Sequence, residues 1–200
     1  MKKTLVMFLM FCMFLIPSGA FAEEKVSPPT AEQIKQLNET LEKIVIEANK
    51  RLEAGETELF LEEKVGETDE VVSFSFSLTN ESSNEQKLGL QAADLPKGAK
   101  NYMAEVGYTG VGFDFMHKLG GSFTYANGKI GGATKDVVLT GIFYSKDHQT
   151  WIDYLDPSVW AVNSQGTFAA LKYGVEYKTS LIVGLYGSGD YRILRSAIIY

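Results

Sequence analysis

The residues best suited to chemistry lie together between positions 146 and 157. Four of them offer the oxygen and imidazole ligands that bind calcium or another hard cation: Asp147, His148, Asp153 and Asp156. Their spacing matches no known metal-binding loop, and Asp156 before a proline is also an ordinary way to open a turn. We therefore predict neither a metal nor another cofactor, and we interpret the stretch as a functional loop.

The same stretch carries aromatic side chains of the kind on which sugar rings and peptides stack. Trp151 and Tyr154 lie inside it, and Trp160 follows closely. Trp151 follows a run of polar residues and is expected to be exposed, whereas Trp160 is expected to be core material. The predicted ligand-binding residues are Trp151, Tyr154, Trp160, His148 and Asp153.

Catalytic constellations are poorly supported. The chain has two histidines, and His117 is expected to lie at a strand end beside a loop. Asp114 is three residues before it, and an odd spacing sends strand side chains to opposite faces. Glu62 and Glu63 are adjacent, so the same argument separates the carboxylates that a glycosidase would need. Hydrolase-elbow, zinc-protease and phosphate-loop motifs are absent, and no catalytic residue is predicted.

The first 22 residues read as a cleavable secretion signal of bacterial type. Lys2 and Lys3 precede an apolar run that is short for a membrane anchor, and Ala20 and Ala22 supply the small residues of a cleavage site. Cys12 is the one cysteine, and it lacks the small preceding residues of a lipoprotein signal. We expect an exported protein without cysteine or a stable membrane anchor, released or retained loosely in the cell wall.

Charge is distributed unevenly along the expected mature chain. Residues 23–70 hold 14 acidic and 6 basic side chains, a balance of −8, whereas residues 71–200 hold 11 of each. No basic stripe is present to neutralise phosphates, so nucleic acid is not an expected partner. Attraction to an anionic membrane surface is also not expected.

An amphipathic helix is predicted from Thr30 to about Ala54. Thr30 and Gln33 form a capping box, and Gly55 is placed to end the helix. Its apolar residues recur at steps of three and four: Ile34, Leu37, Leu41, Ile44, Ala48 and Leu52. We favour packing of this stripe against the chain's own β domain, with a partner helix or self-association as the alternative. As a spacer, the helix would be separable, and a chain that begins near Thr57 would keep its β spectrum.

From Thr57 onward the pattern becomes that of short strands. Residues 71–78 alternate apolar and serine side chains, and further strands are expected at 137–144, 158–162 and 167–171. Asn127-Gly128 and residues 187–190 predict two hairpins, the second leading into a buried final strand. The predicted fold class is mainly β, an antiparallel β-sandwich or open barrel preceded by one amphipathic α-helix. The expected organisation is a signal (1–22), an acidic arm with the helix (23–56) and a neutral, aromatic and glycine-rich β domain (57–200).

Three functions remain open. The first is a secreted, non-enzymatic binding protein that contacts an extracellular surface, glycan or protein through exposed aromatics. It predicts an aromatic patch on one face and no buried polar constellation. The second is a membrane-active or pore-forming protein with a detachable helix. The third is an extracellular hydrolase with a loop site at 147–156. We favour the first, and the oligomeric state is left open.

Overall fold

A computed structural model describes residues 30–80, 97–110, 113–141, 145–170 and 175–199. The predicted signal therefore lies outside the described residues. One helix precedes ten strands: α1 (Ala31–Glu53), β1 (Glu58–Lys64), β2 (Val71–Asn80), β3 (Gly98–Thr109), β4 (Asp114–Ala126), β5 (Lys129–Ala133), β6 (Asp136–Thr140), β7 (Ser145–Asp156), β8 (Val159–Ala170), β9 (Val175–Tyr186) and β10 (Tyr191–Ile199).

The strands form two antiparallel sheets, which confirms the predicted mainly β fold with a leading helix. Sheet A has the order β1-β2-β3-β4-β5, and β6 pairs with the other end of β4. Sheet B has the order β10-β9-β8-β7. Both predicted hairpins are present. Asn127 and Gly128 have φ values of 53° and 73°, which the tight β4–β5 turn requires, and Gly189 has a φ of 86° in the β9–β10 turn.

The core lies between the sheets and is rich in aromatic rings. Phe115 of β4 packs against Phe168 of β8, whose ring stacks on Tyr177 of β9 with centroids 5.2 Å apart. Phe76 of β2 stacks on Tyr191 of β10 with centroids 4.6 Å apart. The alternation predicted for residues 71–78 is confirmed, because the apolar side chains of β2 are buried and its serines are more exposed.

Helix α1 begins with the predicted capping box and packs on its own β domain. The Thr30 side chain accepts a hydrogen bond from the Gln33 backbone, the Gln33 side chain accepts one from the Thr30 backbone, and Gly55 has a φ of 90°. Leu37, Leu41, Ile44 and Ala48 are each at most 1% exposed and belong to the same core as the strands. This burial argues against a separable spacer.

The helix also covers the free edge of β10. The Asn38 side chain accepts from Ile198 N–H (2.8 Å) and donates to its carbonyl (2.9 Å). In the same way, the Asn49 side chain accepts from Ile193 N–H (2.9 Å) and donates to the Ile193 carbonyl (2.7 Å). The two asparagines lie about three helical turns apart, so both face the strand. Each takes the place of a neighbouring strand, so the last strand is a covered edge of sheet B rather than an interior strand.

Three local predictions are wrong. Residues 147–156 form most of strand β7 rather than a loop, and β8 is one continuous strand where two short ones are predicted. His117 lies in the middle of β4, fully buried, and not at a strand end. Long antiparallel partners force these polar stretches into the sheet, and local composition does not report such partners.

Candidate functional site

Strand β7 holds four of the five predicted ligand-binding residues, but it sends them to opposite faces. Trp151 and Asp153 point to the outer face of sheet B, because Ile152 between them packs against the core. His148 and Tyr154 have the opposite parity, as does Trp160, the partner of Tyr154 on β8. The predicted aromatic patch on one face is therefore not formed by these three rings together.

On the outer face, Trp151 is exposed and fixed in orientation. Its indole N–H donates to Asp153 Oδ2 at 3.2 Å, and 43% of its surface is exposed. The same carboxylate oxygen accepts from Asn163 Nδ2 at 3.0 Å, and Asn163 also donates to the Ala161 carbonyl at 3.1 Å. Because its polar atom is already paired, the indole offers its ring surface to a ligand.

Side chains of β8, β9 and β10 continue this face, although Asn163 and Ser180 are themselves buried. The cross-strand row through the tryptophan runs Trp151, Asn163, Ile182 and Arg195, one residue from each strand of sheet B. The next row runs Gln149, Gln165, Ser180 and Ala197. Sequence reasoning missed the contributions of β8, β9 and β10. Parity along an unbroken strand from 159 to 170 would have placed Asn163 and Gln165 beside Trp151.

The other face of β7 carries a second, smaller group. The rings of Tyr154 and Trp160 meet edge to face with centroids 4.5 Å apart. Tyr154 is 68% exposed, whereas Trp160 is partly buried against the core. His148 Nδ1 lies 3.2 Å from Thr150 Oγ1 on the same side of the strand. Asp153 points the other way, so the histidine and the aspartate do not face one another.

A buried polar constellation bridges the two sheets, contrary to the expectation of none. His117 Nε2 lies 2.7 Å from Ser164 Oγ, and His117 Nδ1 lies 2.8 Å from Thr179 Oγ1. Burial, and secondly the nearby His148, lowers the pKa of His117 to about 4. The serine is 1% exposed, and a hydroxyl stands where a catalytic triad would have a carboxylate. The arrangement satisfies buried polar groups, since His117 and Ser164 are each at most 1% exposed.

The carboxylates of β7 are held in local bonds rather than gathered at one point. Asp147 accepts from the His148 backbone at 2.8 Å. Asp156 accepts from the Ser158 hydroxyl and backbone, at 2.7 and 2.8 Å, and these bonds lower its pKa. Among the described residues, no three acidic, histidine or cysteine side chains are grouped as metal ligands would be.

A cleft of about 670 Å³ lies between the end of α1 and the β9–β10 hairpin. Its two basic side chains already have partners. Lys100 Nζ donates to the Gly189 carbonyl at 2.7 Å, and Arg192 pairs with Glu53 at 3.0 Å. Burial lowers the pKa of Lys100, and the Asp190 carboxylate opposes that shift. Because its basic side chains are occupied, the cleft makes a weaker candidate than the outer face.

Within the described part of the chain, no helix combines the length and apolar character needed to cross a membrane. On the described strands the exposed aromatic side chains are Phe60, Trp151 and Tyr154, and Trp151 is held by a side-chain hydrogen bond to Asp153. In comparisons with known proteins, no family model, curated protein or solved structure matched this chain.

Proposed function

We propose that this protein is an exported, non-enzymatic binding module that recognises a carbohydrate surface through the outer face of sheet B. Trp151 is the platform on which a sugar ring stacks. Asp153, Gln149 and Gln165 supply hydrogen-bonding groups around it. Export rests on the sequence of the first 22 residues, and the binding role rests on the geometry around the tryptophan.

The observation that carries the proposal is the fixed, exposed indole. A free tryptophan side chain loses rotamer entropy when it binds, whereas Trp151 is already held by its bond to Asp153. Asp153 is held in turn by the buried Asn163. Carboxamides and a carboxylate beside an aromatic ring suit hydroxyl groups above and below an apolar sugar face. A protein partner would favour a wider apolar surface around the ring.

The free edge of β7 is a poorer binding surface than its face. The Asp147 side chain already accepts a hydrogen bond from the His148 backbone N–H, which indicates that this amide points away from β8. Charged side chains follow the edge, and a register shift after Tyr154 interrupts the ladder. Charges and bulges are the devices by which edge strands avoid pairing with another chain. We therefore assign binding to side chains on the face and not to strand addition.

The test is a pull-down of the chain without residues 1–22 on insoluble cell wall and on insoluble polysaccharides. Trp151→Ala removes the platform, and Trp160→Phe is the matched control, because Trp160 is the other tryptophan and lies on the opposite face. We expect saturable binding, a shift in tryptophan emission, and about a tenfold loss of affinity in Trp151→Ala alone. Absence of binding to every polysaccharide, or equal binding by both variants, would refute the proposal.

A further inference from the structure

Charge is arranged across the outer face of sheet B, from acidic on one side to basic on the other. Asp147 and Asp153 lie on β7. The basic side chains Arg192 and Arg195 lie on β10, at the opposite edge. The strands between them present mainly neutral side chains beside the tryptophan row. A ligand that crosses the sheet from Trp151 therefore ends at positive charge.

Arg195 is the basic residue aligned with the tryptophan. It pairs in register with Ile182, which pairs with Asn163, the partner of Trp151. Three strand spacings separate the two ends of this row, or about 14 Å. A short oligosaccharide spans that distance with one ring on the indole.

Arg195 is also available to a ligand. Arg192, its neighbour on the same face, already forms a salt bridge with Glu53 at 3.0 Å. Arg195 is exposed and forms no ion pair among the described residues, although Glu42 lines the same side of the strand. An unpaired guanidinium offers a planar fork of N–H donors that fits a carboxylate or a phosphate.

The surface between the two ends is mainly apolar. The row beside the tryptophan row has Ala161 on β8 and Gly184 on β9. Leu194, the residue at the β10 register shift, lies over Gly184, where a Cβ would sit 3.2 Å from its side chain. The Leu194 side chain thus fills the space above Gly184 and places a partly exposed apolar group on the surface between the two ends.

We propose that the carbohydrate ligand is a negatively charged oligosaccharide, with a sugar ring on Trp151 and a carboxylate or phosphate substituent at Arg195. This inference rests on the proposed function. The protein's net charge of −6 opposes an anionic ligand at long range, and Glu42 of α1 lines the same pocket as Arg195, so the proposed attraction depends on direct contact with the guanidinium. Charge at this site acts over a Debye length of about 10 Å at 0.1 M salt.

The experiment measures affinity for three soluble probes by tryptophan fluorescence in 50 mM salt. The probes are a galacturonate oligomer, which carries carboxylates, its uncharged methyl ester, and an oligosaccharide that carries phosphate but no carboxylate. Arg195→Gln is compared with Lys178→Gln, which removes a positive charge from the same face two rows away from Trp151. The carboxylate and phosphate probes distinguish the two sources of negative charge.

We expect at least one charged probe to bind about tenfold more tightly than the methyl ester. Arg195→Gln should abolish that preference without changing affinity for the ester, and Lys178→Gln should retain it. Equal binding of charged and neutral probes, dependent on Trp151, would overturn this inference and leave the proposed function standing. A preference that survives Arg195→Gln would also overturn it. Binding to none of the three probes, with none to polysaccharides, would overturn both.

Discussion

Acid should destabilise this protein through His117, because the ring is buried and its hydrogen-bond partners among the described residues are hydroxyls rather than a counter-charge. An unfolded histidine has a pKa near 6.5, and the folded value is about 4. Between these values the unfolded state binds the additional proton, so the free energy of unfolding falls as the pH falls through this window. The expected loss from this one residue, relative to pH 7, is about 2 kcal/mol at pH 5 and about 3 kcal/mol at pH 4. Below the folded pKa the loss stops growing.

The assay is urea unfolding at pH 7, 5 and 4, comparing the wild-type protein with His117→Gln. Glutamine does not titrate, and its amide can still bond to Ser164 or Thr179. Carboxylates titrate in both proteins, so the difference between the two pH profiles isolates the histidine. We expect the wild type to lose about 2 kcal/mol more than the variant between pH 7 and pH 5.

Parallel pH profiles for the two proteins would refute this reasoning. If His117→Gln does not fold, the NMR resonances of the histidine rings give the same information in the wild type. The His117 ring should stay neutral at pH 5. His117 resonances that titrate near pH 6.5 in the folded protein would show that burial does not suppress protonation of the ring. That result would contradict the predicted loss of stability in acid.

Two further perturbations test the role of the helix. Asn49→Ala leaves the N–H and carbonyl of Ile193 without their side-chain partner. The free energy of unfolding, measured in urea, should therefore fall by about 1–3 kcal/mol. An unchanged value would show that water replaces the amide without cost. A chain that begins at Thr57 loses the helix side chains of the core and uncovers β10, so we expect circular dichroism to show no cooperative thermal transition. A cooperative β spectrum would instead restore the separable-spacer interpretation.

Sequence reasoning succeeded where a local pattern determines local structure. The capping box and the three-to-four spacing identify α1 within a residue or two, and Asn127-Gly128 identifies a tight turn because few other pairs accept two positive φ angles. The sandwich class follows from the number of alternating segments between such turns. These features depend on neighbours within a few positions in the chain.

The candidate site was harder to predict because its strands break the usual pattern. β7 is an edge strand exposed along most of its length, so it shows no apolar alternation and resembles a loop. The middle of β8 is polar yet buried, since Asn163 and Ser164 find partners on other strands. Those partners, Asp153 and His117, lie 10 and 47 residues away. Only the register between strands reveals that these polar residues are satisfied.

The two outer edges of sheet B are protected in different ways, and this difference bears on where the proposed ligand would bind. At β10, asparagines of α1 occupy backbone groups of Ile193 and Ile198, so the helix excludes another chain. At β7, local charges and a register shift discourage pairing, yet the side chains remain exposed. Neither edge favours strand addition, whereas the outer face between them has a hydrogen-bonded indole at one end and, at the other, an arginine without an ion pair among the described residues. Recognition by side chains across the face is therefore the mode of binding that this architecture supports best.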